Sequence, residues 1–295
     1  MSTVELGSAV DIARVGVVGC GLMGSGITEV CARAGLDVRA YELSRAAADA
    51  GRARVEGSLQ RAADKGKLSA EEHQAVLRRI SFTTDLDEFA DRDLTIEAIL
   101  EREQDKIDVF ARLDKIVARP DAVLASNTSS IPIMKIAMAT TRPEQVIGVH
   151  FFNPVPVLKL VELVPSLMTS ESVEARARNF AVDVLGKSVI RSQDRAGFVV
   201  NSLLIPYILA AIRMLDSGFA SAEDIDEGMV LGCAHPMGPL RLADLIGLDT
   251  IKAIAEAMYD EFKEPLYSPA PFLLRMVDAG LLGKKSGRGF YEYRA

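Results

Sequence analysis

A histidine and a glutamate lie in otherwise apolar sequence between positions 146 and 164. His150 lies near the end of the segment VIGVHF, and Glu162 lies within LKLVELV. With the two-residue period of a β-strand, Glu162 shares a face with Leu160 and Val164, so its carboxylate is expected among aliphatic side chains. A buried, ionised carboxylate without a partner is strongly unfavourable, so we predict a donor or cation beside it. His150 is the best-placed donor if the two strands are neighbours.

A histidine–carboxylate pair of this kind is suited to general acid–base catalysis. The carboxylate fixes the imidazole tautomer and stabilises the imidazolium. His150 could then remove a hydroxyl proton while a hydride leaves the same carbon, which is the chemistry of a dehydrogenase. The alternative is a core histidine that bonds to a backbone carbonyl, with Glu162 paired to a lysine or an arginine.

A glycine-rich turn near the N-terminus could bind a dinucleotide. Gly19, Gly21 and Gly24 form the pattern GxGxxG between an apolar run at 14–19 and a helical stretch that continues to about residue 34. The three glycines allow a tight turn, a close approach of the pyrophosphate to the backbone, and close packing of helix and strand. The N–H groups at the start of the helix would then face the phosphates.

An acidic residue follows the turn at the distance that a dinucleotide site requires. Glu42 ends the predicted strand at 37–42, where its carboxylate can accept hydrogen bonds from the adenosine ribose. This favours NAD over NADP, because a 2′-phosphate would be repelled. Arg39 and Arg45 leave the choice of cofactor open, and a flavin or S-adenosylmethionine site is the competing use of a similar turn.

A cluster of small polar residues, ASNTSS at 125–130, closes another predicted strand. Open α/β sheets bind ligands at this end of their strands. Ser126 or Ser129 could cap a helix, which is the usual role of such residues. Ser129 could equally donate a hydrogen bond to a substrate oxygen.

The elements that must position these residues alternate between strand and helix in the first part of the chain. Helical sequence fills 45–79 and 102–117, between the predicted strands. Strands separated by helices predict an α/β fold with a parallel sheet covered on both faces. The predicted strands are 14–19, 37–42, 80–84, 93–98, 122–127, 146–151 and 158–164.

Strand patterns end near residue 198, and the remainder has helical patterns. We predict a boundary within 190–197, which gives an α/β domain at 1–194 and a smaller helical domain at 195–295. The predicted helices of the second domain are 201–217, 221–231, 240–261 and 271–279.

Composition excludes several classes of protein. The chain has 295 residues and a formal net charge of -7, which argues against nucleic-acid binding. The segment 198–215 is apolar, but it is short for a membrane span of about 20 residues and contains Pro206 and Arg213. We interpret it as a buried helix of a core or a dimer interface.

Cysteine usage and the N-terminus indicate a cytoplasmic protein. Cys20, Cys31 and Cys233 are odd in number and lack the spacing of a zinc or redox motif, so we expect reduced thiols and no metal site. The N-terminal sequence carries Glu5 and Asp11 and has no basic segment followed by an apolar stretch, so it does not resemble a secretory signal.

Six motifs in order give the chain a specific resemblance. It resembles the 3-hydroxyacyl-CoA dehydrogenase family, most closely the short bacterial 3-hydroxybutyryl-CoA dehydrogenases, from residue 14 to residue 293. This resemblance implies a Rossmann-type domain with a doubly wound, mostly parallel sheet, followed by a smaller all-helical dimerising domain. The motifs are VGVVGCGLMGSGI, ASNTSSI, GVHFFNPVPVLKLVELV, GFVVNSLL, HPMGPLRLADLIGLD and GKKSGRGFYEY.

The resemblance also implies roles for individual residues. It makes His150 the acid/base and Glu162 its orienting partner, with Ser129 and Asn201 bonding to the substrate. Coenzyme A would meet Ser58 and Lys65. NAD contacts are implied at the turn residues Gly19, Gly21, Leu22, Met23 and Gly24 and at Glu42, Glu101, Lys106, Ser129, Asn153 and Lys285.

Two of these residues have types that also suit a purely structural role. Lys65 lies in a charged helical stretch where a solvated lysine is common, and Asn201 could be an N-terminal helix cap. His73 and His235 are assigned surface and loop roles. Compared with the family pattern, this chain has one extra residue near 119–121 and another near 165–167. Glu42 occupies a position where the family often has aspartate.

The sequence therefore predicts a cytoplasmic, homodimeric, NAD-dependent enzyme that interconverts (S)-3-hydroxyacyl-CoA and 3-oxoacyl-CoA. Two alternatives are a dehydrogenase of a free hydroxy acid, such as a sugar acid, and a non-catalytic NAD-binding sensor. Acyl-chain preference and physiological direction are left open, because they depend on pocket depth and metabolite levels.

Overall fold

The computed structural model describes residues 12–293. The chain divides into two compact units, Met1–Asp194 and Arg195–Ala295. Between residues 12 and 293, no helix is both long enough and apolar enough to cross a membrane. Over the same range, no group of three or more His, Cys, Asp or Glu side chains is placed to hold a metal ion.

Strands and helices alternate in the first unit. The helices are α1 (Leu22–Arg33), α2 (Arg45–Asp64), α3 (Ala70–Arg78), α4 (Glu103–Ile116), α5 (Ile133–Ala137) and α6 (Glu171–Asn179), the last continuing into a π-helical turn at Phe180–Val184. Short 3-10 turns lie at Leu86–Phe89 and Pro143–Gln145. The strands are β1 (Arg14–Val18), β2 (Asp37–Tyr41), β3 (Ile80–Thr83), β4 (Leu94–Glu97), β5 (Val123–Ser126), β6 (Val146–Phe151), β7 (Leu160–Pro165) and β8 (Ser188–Arg191).

The strands form one sheet in the order β3-β2-β1-β4-β5-β6-β7-β8. Neighbours are parallel except β6 and β7, which are antiparallel. The chain leaves β1 for β2 and β3, then returns to the other side of β1 as β4. The carboxyl ends of β1 and β4 therefore border a crevice of the type in which α/β sheets bind ligands.

Burial on both faces explains why the central strands are apolar. Val15, Val17 and Ile96 have no exposed surface, because helices cover both sides of a parallel sheet. The main core cluster extends along the sheet to Val161 and Leu163 on β7.

Helices make up the second unit. They are α7 (Val200–Asp216), α8 (Ala222–Cys233), α9 (Pro239–Ile246), α10 (Leu248–Phe262) and α11 (Pro271–Asp278). Two buried carboxylates organise them: Asp226 accepts hydrogen bonds from the backbone N–H groups of Leu240 and Arg241, and Asp244 accepts from those of Phe290 and Tyr291. The predicted α/β fold with a mostly parallel sheet and a helical second domain is confirmed.

Two long helical predictions are wrong in detail. The stretch 45–79 is two helices, because Gly66 adopts φ +66° after α2 and Ser69 starts α3 with a capping box completed by Glu72. The stretch 240–261 is also two helices, because Gly247 adopts φ +105° between α9 and α10.

Three elements of the first unit were not predicted. They are α5, α6 and the short edge strand β8, whose sequence SVIR is half exposed and carries little periodic signal. β8 pairs with β7 in parallel, placing Ser188 opposite Leu160.

Candidate active site

The antiparallel pairing of β6 and β7 places His150 directly opposite Glu162. Opposed residues in such a pair project to the same face of the sheet. His150 Nδ1 lies 2.7 Å from Glu162 Oε2. His150 is 7% exposed and Glu162 is 0% exposed. The strand register therefore sets up a buried imidazole–carboxylate contact near the carboxyl end of β6.

The conformation and close contacts of the glycine turn leave no room for a Cβ at two of its three glycines. Gly19 adopts φ +88°, and a Cβ on Gly24 would lie 1.8 Å from the carbonyl oxygen of Gly19. A Cβ on Gly21 would meet no atom within 4 Å, and Gly21 precedes α1 without a side-chain cap. Gly19 and Gly24 serve the fold, whereas the space at Gly21 and the uncapped helix fit a pyrophosphate. Leu22 is 66% exposed and Met23 is half-buried at the start of α1.

Glu42 follows β2 and lies beside this turn. Its Oε1 accepts a hydrogen bond of 2.6 Å from the backbone N–H of Cys20. Arg54 on α2 donates to the carbonyl of Cys20 at 3.4 Å. A carboxylate is therefore held beside the glycine turn, which is the chemistry that a ribose hydroxyl requires, so the residues present fit NAD.

An ion network built on the buried side chains of Glu97 and Lys106 lies at the carboxyl end of β4. Lys106 Nζ lies 2.6 Å from Glu97 Oε1 and 3.2 Å from Glu101 Oε2. Burial alone would raise the pKa of Glu101, but Lys106 and the hydrogen bonds from Thr128 and Ser129 outweigh burial and lower this pKa below its ordinary value. Glu101 is thus an anion at neutral pH.

Glu101 also holds the loop that follows β5. Its Oε1 accepts from the Thr128 hydroxyl at 2.6 Å and from the Ser129 N–H at 2.8 Å. The Ser129 hydroxyl lies 3.3 Å from the same oxygen. Two of the predicted cofactor residues and the predicted substrate serine are therefore in one connected group.

Neither Ser126 nor Ser129 caps a helix. The next helix, α5, begins after Pro132 and has no cap from its own N-terminal side chain. Asp194 takes this role, since its carboxylate accepts from the N–H groups of Ile133 and Met134 at 2.6 and 2.7 Å. The capping interpretation of the serines is wrong because a distant carboxylate supplies the acceptor.

A cavity of about 240 Å³ lies between α1, α2 and the β6–β7 connection. Ser58 and Asn153 line it, together with Arg54 and Arg61. Lys65 is exposed at the end of α2 and does not line this cavity. The cavity thus brings two predicted contact residues together with two arginines that the sequence reasoning missed.

Asn201 and Lys285 belong to the second unit. Asn201 lies inside the first turn of α7 and is 7% exposed. The N-cap of α7 is Val199, so the interpretation of Asn201 as a cap is wrong. Lys285 Nζ lies 2.7 Å from Asp249 Oδ2.

Glu97 is the main polar residue that the sequence reasoning missed. It ends β4 as Glu42 ends the segment at 37–42, but it lies within a predicted strand whose other residues are mostly apolar. A carboxylate at the carboxyl end of a fully buried parallel strand is the signal that could have identified it.

Two family models together match nearly the whole chain. Residues 14–195 match "3-hydroxyacyl-CoA dehydrogenase, NAD binding domain", and residues 197–293 match "3-hydroxyacyl-CoA dehydrogenase, C-terminal domain". The chain belongs to the 3-hydroxyacyl-CoA dehydrogenase family. The family prediction and the NAD prediction are thereby confirmed.

Individual members of this family are similar over nearly full length. A 3-hydroxybutyryl-CoA dehydrogenase of Mycobacterium tuberculosis is 60% identical over 282 residues, which cover 96% of this chain and 99% of that protein. A probable 3-hydroxybutyryl-CoA dehydrogenase of Bacillus subtilis is 47% identical over 283 residues, which cover 96% of this chain and 98% of that protein.

Solved structures of the family agree with the fold. The crystal structure of M. tuberculosis FadB2 has a TM-score of 0.95 and 60% identity, and it covers 96% of this chain and 99% of its own. That of (S)-3-hydroxybutyryl-CoA dehydrogenase PaaH1 from Ralstonia eutropha has a TM-score of 0.91 and 46% identity, with coverage of 97% and 100%. The protein is an NAD-dependent 3-hydroxyacyl-CoA dehydrogenase.

Proposed function

We propose that the protein interconverts (S)-3-hydroxybutyryl-CoA and acetoacetyl-CoA. The similarity to dehydrogenases named for this substrate in M. tuberculosis and R. eutropha supports the four-carbon substrate. The observation that carries the proposal is the 2.7 Å contact between His150 Nδ1 and Glu162 Oε2. It lies at the same sheet edge as the glycine turn, because β1, β4, β5 and β6 are parallel.

His150 acts as the acid/base in this proposal. With Nδ1–H donating to Glu162, the tautomer leaves the lone pair on Nε2, which accepts the substrate hydroxyl proton during oxidation. Glu162 stabilises the imidazolium that forms. In the reductive direction the same nitrogen returns the proton. NAD supplies the hydride acceptor when bound.

Ser129 and Asn201 hold the substrate oxygens. Ser129 is supported by its place in the loop after β5, where its backbone N–H is fixed by Glu101. Asn201 is supported by family resemblance and by its burial in α7, where an amide can both donate and accept. In this proposal residues 1–194 are the NAD-binding domain, and residues 195–295 are the substrate and dimerisation domain.

The nucleotide parts of both ligands are held by local groups on an acidic protein. For NAD these are Gly19, Gly21, Gly24 and the carboxylate of Glu42, with further contacts from Leu22, Met23, Glu101, Lys106, Ser129, Asn153 and Lys285. Glu42 favours NAD over NADP through repulsion of a 2′-phosphate.

Coenzyme A is held at the cavity beside α2. Ser58 lines this cavity. Lys65 is exposed at the C-terminal end of the same helix, α2. Arg54 and Arg61 add cations to the same wall, and guanidinium groups bind phosphate oxygens well.

The helical domain dimerises through an apolar surface that includes the exposed face of α7. Leu203 is 75% exposed, Met214 is 41% exposed and the neighbouring Phe219 is 79% exposed. Leu203, Tyr207, Ala210 and Met214 recur at helical spacing along this face. A contiguous exposed apolar face of this kind marks a protein interface.

The cytoplasm is the proposed compartment. All three cysteines are free thiols, and two of them are buried. Reduced cysteines are the usual state in a cytosolic protein. This proposal is checked by fractionating cells that express the native chain.

Replacing His150 by glutamine tests the proposed function. His150→Gln should lower kcat for 3-hydroxybutyryl-CoA oxidation by about 10²-fold or more, because general-base catalysis is lost. NADH release is the measurement, with NADP, free 3-hydroxybutyrate and longer acyl-CoA esters as comparison substrates. His235→Gln is the matched control, since that histidine bonds to Tyr207 in the second unit. Near-normal turnover in His150→Gln would refute the acid/base assignment.

A further inference from the structure

Glu97 is a fully buried carboxylate whose two oxygens serve three different partners. Oε1 accepts from Lys106 Nζ at 2.6 Å and from the backbone N–H of Ile99 at 2.8 Å. Oε2 accepts from the Ser126 hydroxyl at 2.6 Å. Glu97 is 0% exposed, so this geometry is shielded from water.

The partner that matters most is Lys106. This lysine is 1% exposed, and an unpaired ammonium at such a depth would be strongly unfavourable. Its Nζ lies between Glu97 at 2.6 Å and Glu101 at 3.2 Å. The shorter contact is to Glu97, so Glu97 sets the position of the ammonium and leaves Glu101 free to accept from other donors.

The same carboxylates hold both ends of the loop at 126–130. Ser126 donates to Glu97 and accepts from the N–H of Thr128 at 3.2 Å. Glu101 accepts from the N–H of Ser129 at 2.8 Å. A change at Glu97 would therefore reach Ser129 by two routes, one through Ser126 and one through Lys106 and Glu101.

We propose that Glu97 is a positioning residue for the dinucleotide site. It fixes the Lys106 ammonium and, through it, the orientation of Glu101 and the Ser129 loop. The inference rests on the proposed function, in which Glu101, Lys106 and Ser129 contact NAD. Glu97 itself is fully buried, so it acts through these residues.

The test is the affinity of the intact protein for NADH, followed by nucleotide fluorescence. Glu97→Gln keeps the shape of the side chain but removes its charge, so the Lys106 ammonium should shift toward Glu101. This shift should weaken the hydrogen bonds that Glu101 accepts from Thr128 and Ser129. We expect the Kd for NADH to rise about 10-fold, because hydrogen bonds between charged groups are among the strong ones. The KM for NAD should rise by a larger factor than kcat falls, since His150 and Glu162 lie on other strands.

Asp114→Asn is the matched control. Asp114 lies on α4 like Lys106, about 12 Å further along the helix at a rise of about 1.5 Å per residue. Its carboxylate is also a largely buried ion-pair partner, 3.0 Å from Arg142 Nε and 7% exposed. This variant should lose thermal stability but keep its Kd for NADH within about twofold of the native value.

The outcomes separate positioning from stability. A folded Glu97→Gln protein with native NADH affinity would overturn the inference, as would an equal loss of affinity in Asp114→Asn. If Glu97→Gln fails to fold, Ser126→Ala removes one of the three bonds to Glu97 and should raise the Kd by a smaller factor in the same direction. Unchanged affinity in Ser126→Ala would then count against the inference. The His150→Gln variant tests the proposed function separately: its turnover reports on the acid/base role of His150, whereas the inference about Glu97 is judged by NADH affinity.

Discussion

Each buried charged side chain of the candidate site has a partner at hydrogen-bond distance. Glu162 contacts His150, and Glu97 contacts Lys106. Such pairs are expensive to desolvate, so apolar residues would suit stability at least as well. These pairs lie at the sheet edge formed by the carboxyl ends of β4 and β6, where α/β sheets bind ligands, so their presence is better explained by chemistry than by folding.

Replacing Glu162 by glutamine should reveal what its charge does. The amide can donate a hydrogen bond to Nδ1, which would force the proton onto Nε2 and block proton acceptance there. We expect Glu162→Gln to lower kcat by about 10²-fold while the Kd for NADH stays near its native value. Steady-state oxidation of 3-hydroxybutyryl-CoA and NADH fluorescence measure the two quantities.

Glu174→Gln serves as a control for this variant. Glu174 pairs with Arg191 at 2.7 Å on a more exposed surface of the same unit. Native turnover is expected there. If Glu162→Gln also keeps native turnover, the carboxylate is a structural partner of His150 and does not tune its chemistry.

At the scale of elements, the short edge strand β8 explains how the His- and Glu-bearing strands are joined. Lys187, just before β8, donates to the carbonyls of Val155 and Leu158 at 2.6 and 2.7 Å. Both carbonyls lie in the connection between β6 and β7. Burial and the neighbouring Arg33 lower the pKa of Lys187. The residue that fixes the connection beside the site thus directly precedes a strand that was not predicted.

At the amino ends of the central strands β1 and β4, the carboxylate of Asp93 has a structural task. Asp93 accepts from the N–H groups of Ala13 and Arg14 at 3.0 and 2.9 Å, and Arg119 Nη1 lies 2.6 Å from it. Burial alone would raise its pKa, but the N–H groups and the Arg14 guanidinium outweigh burial and lower this pKa. Asp93 therefore ties the start of β1 to β4, away from the strand ends that carry the site.

Asp93→Asn should cost stability without affecting catalysis. We expect a loss of about 1–3 kcal/mol at pH 7, because a bonded buried charge is replaced. Since the folded pKa lies below the unfolded value of about 3.9, the stabilisation is complete above that pH and disappears as the pH falls through the folded pKa. Urea unfolding of both proteins at several pH values measures this, with kcat/KM as the control. A difference that stays constant down to low pH would contradict a charge-based origin of the stabilisation.

At the scale of the whole molecule, the exposed apolar face of α7 decides the oligomeric state in our proposal. Leu203→Asp places a charge in that face and should convert the dimer into a monomer near 31.9 kDa. Light scattering coupled to size exclusion measures the mass. A protein that remains dimeric would exclude this face as the interface.

Leu167→Asp is the control for the interface. Leu167 is 94% exposed in the first unit, so it tests whether any charge on an exposed leucine disrupts assembly. The mass of this variant should equal that of the native protein. Equal dissociation of both variants would point to a contact outside α7.

The sequence by itself determined the family, the cofactor and the existence of the first seven strands. Apolar runs such as VIGVHF and VGVVG are local signals of buried strands, and the glycine spacing is a local requirement of a dinucleotide turn. Helix breaks at Gly66 and Gly247 and the half-exposed strand β8 were missed, because a single turn residue or a weakly apolar tetrapeptide gives little periodic signal.

Only the tertiary structure decided which polar groups meet. The register of β6 and β7 puts His150 against Glu162, the parallel order of β4 and β5 brings Glu97 to Ser126, and Asp194 replaces the serines as the cap of α5. These contacts join residues far apart in the chain, and their distances depend on strand register and helix placement. A sequence shows residue types and local periodicity. It does not show the register between neighbouring strands, which is set when their apolar faces pack together.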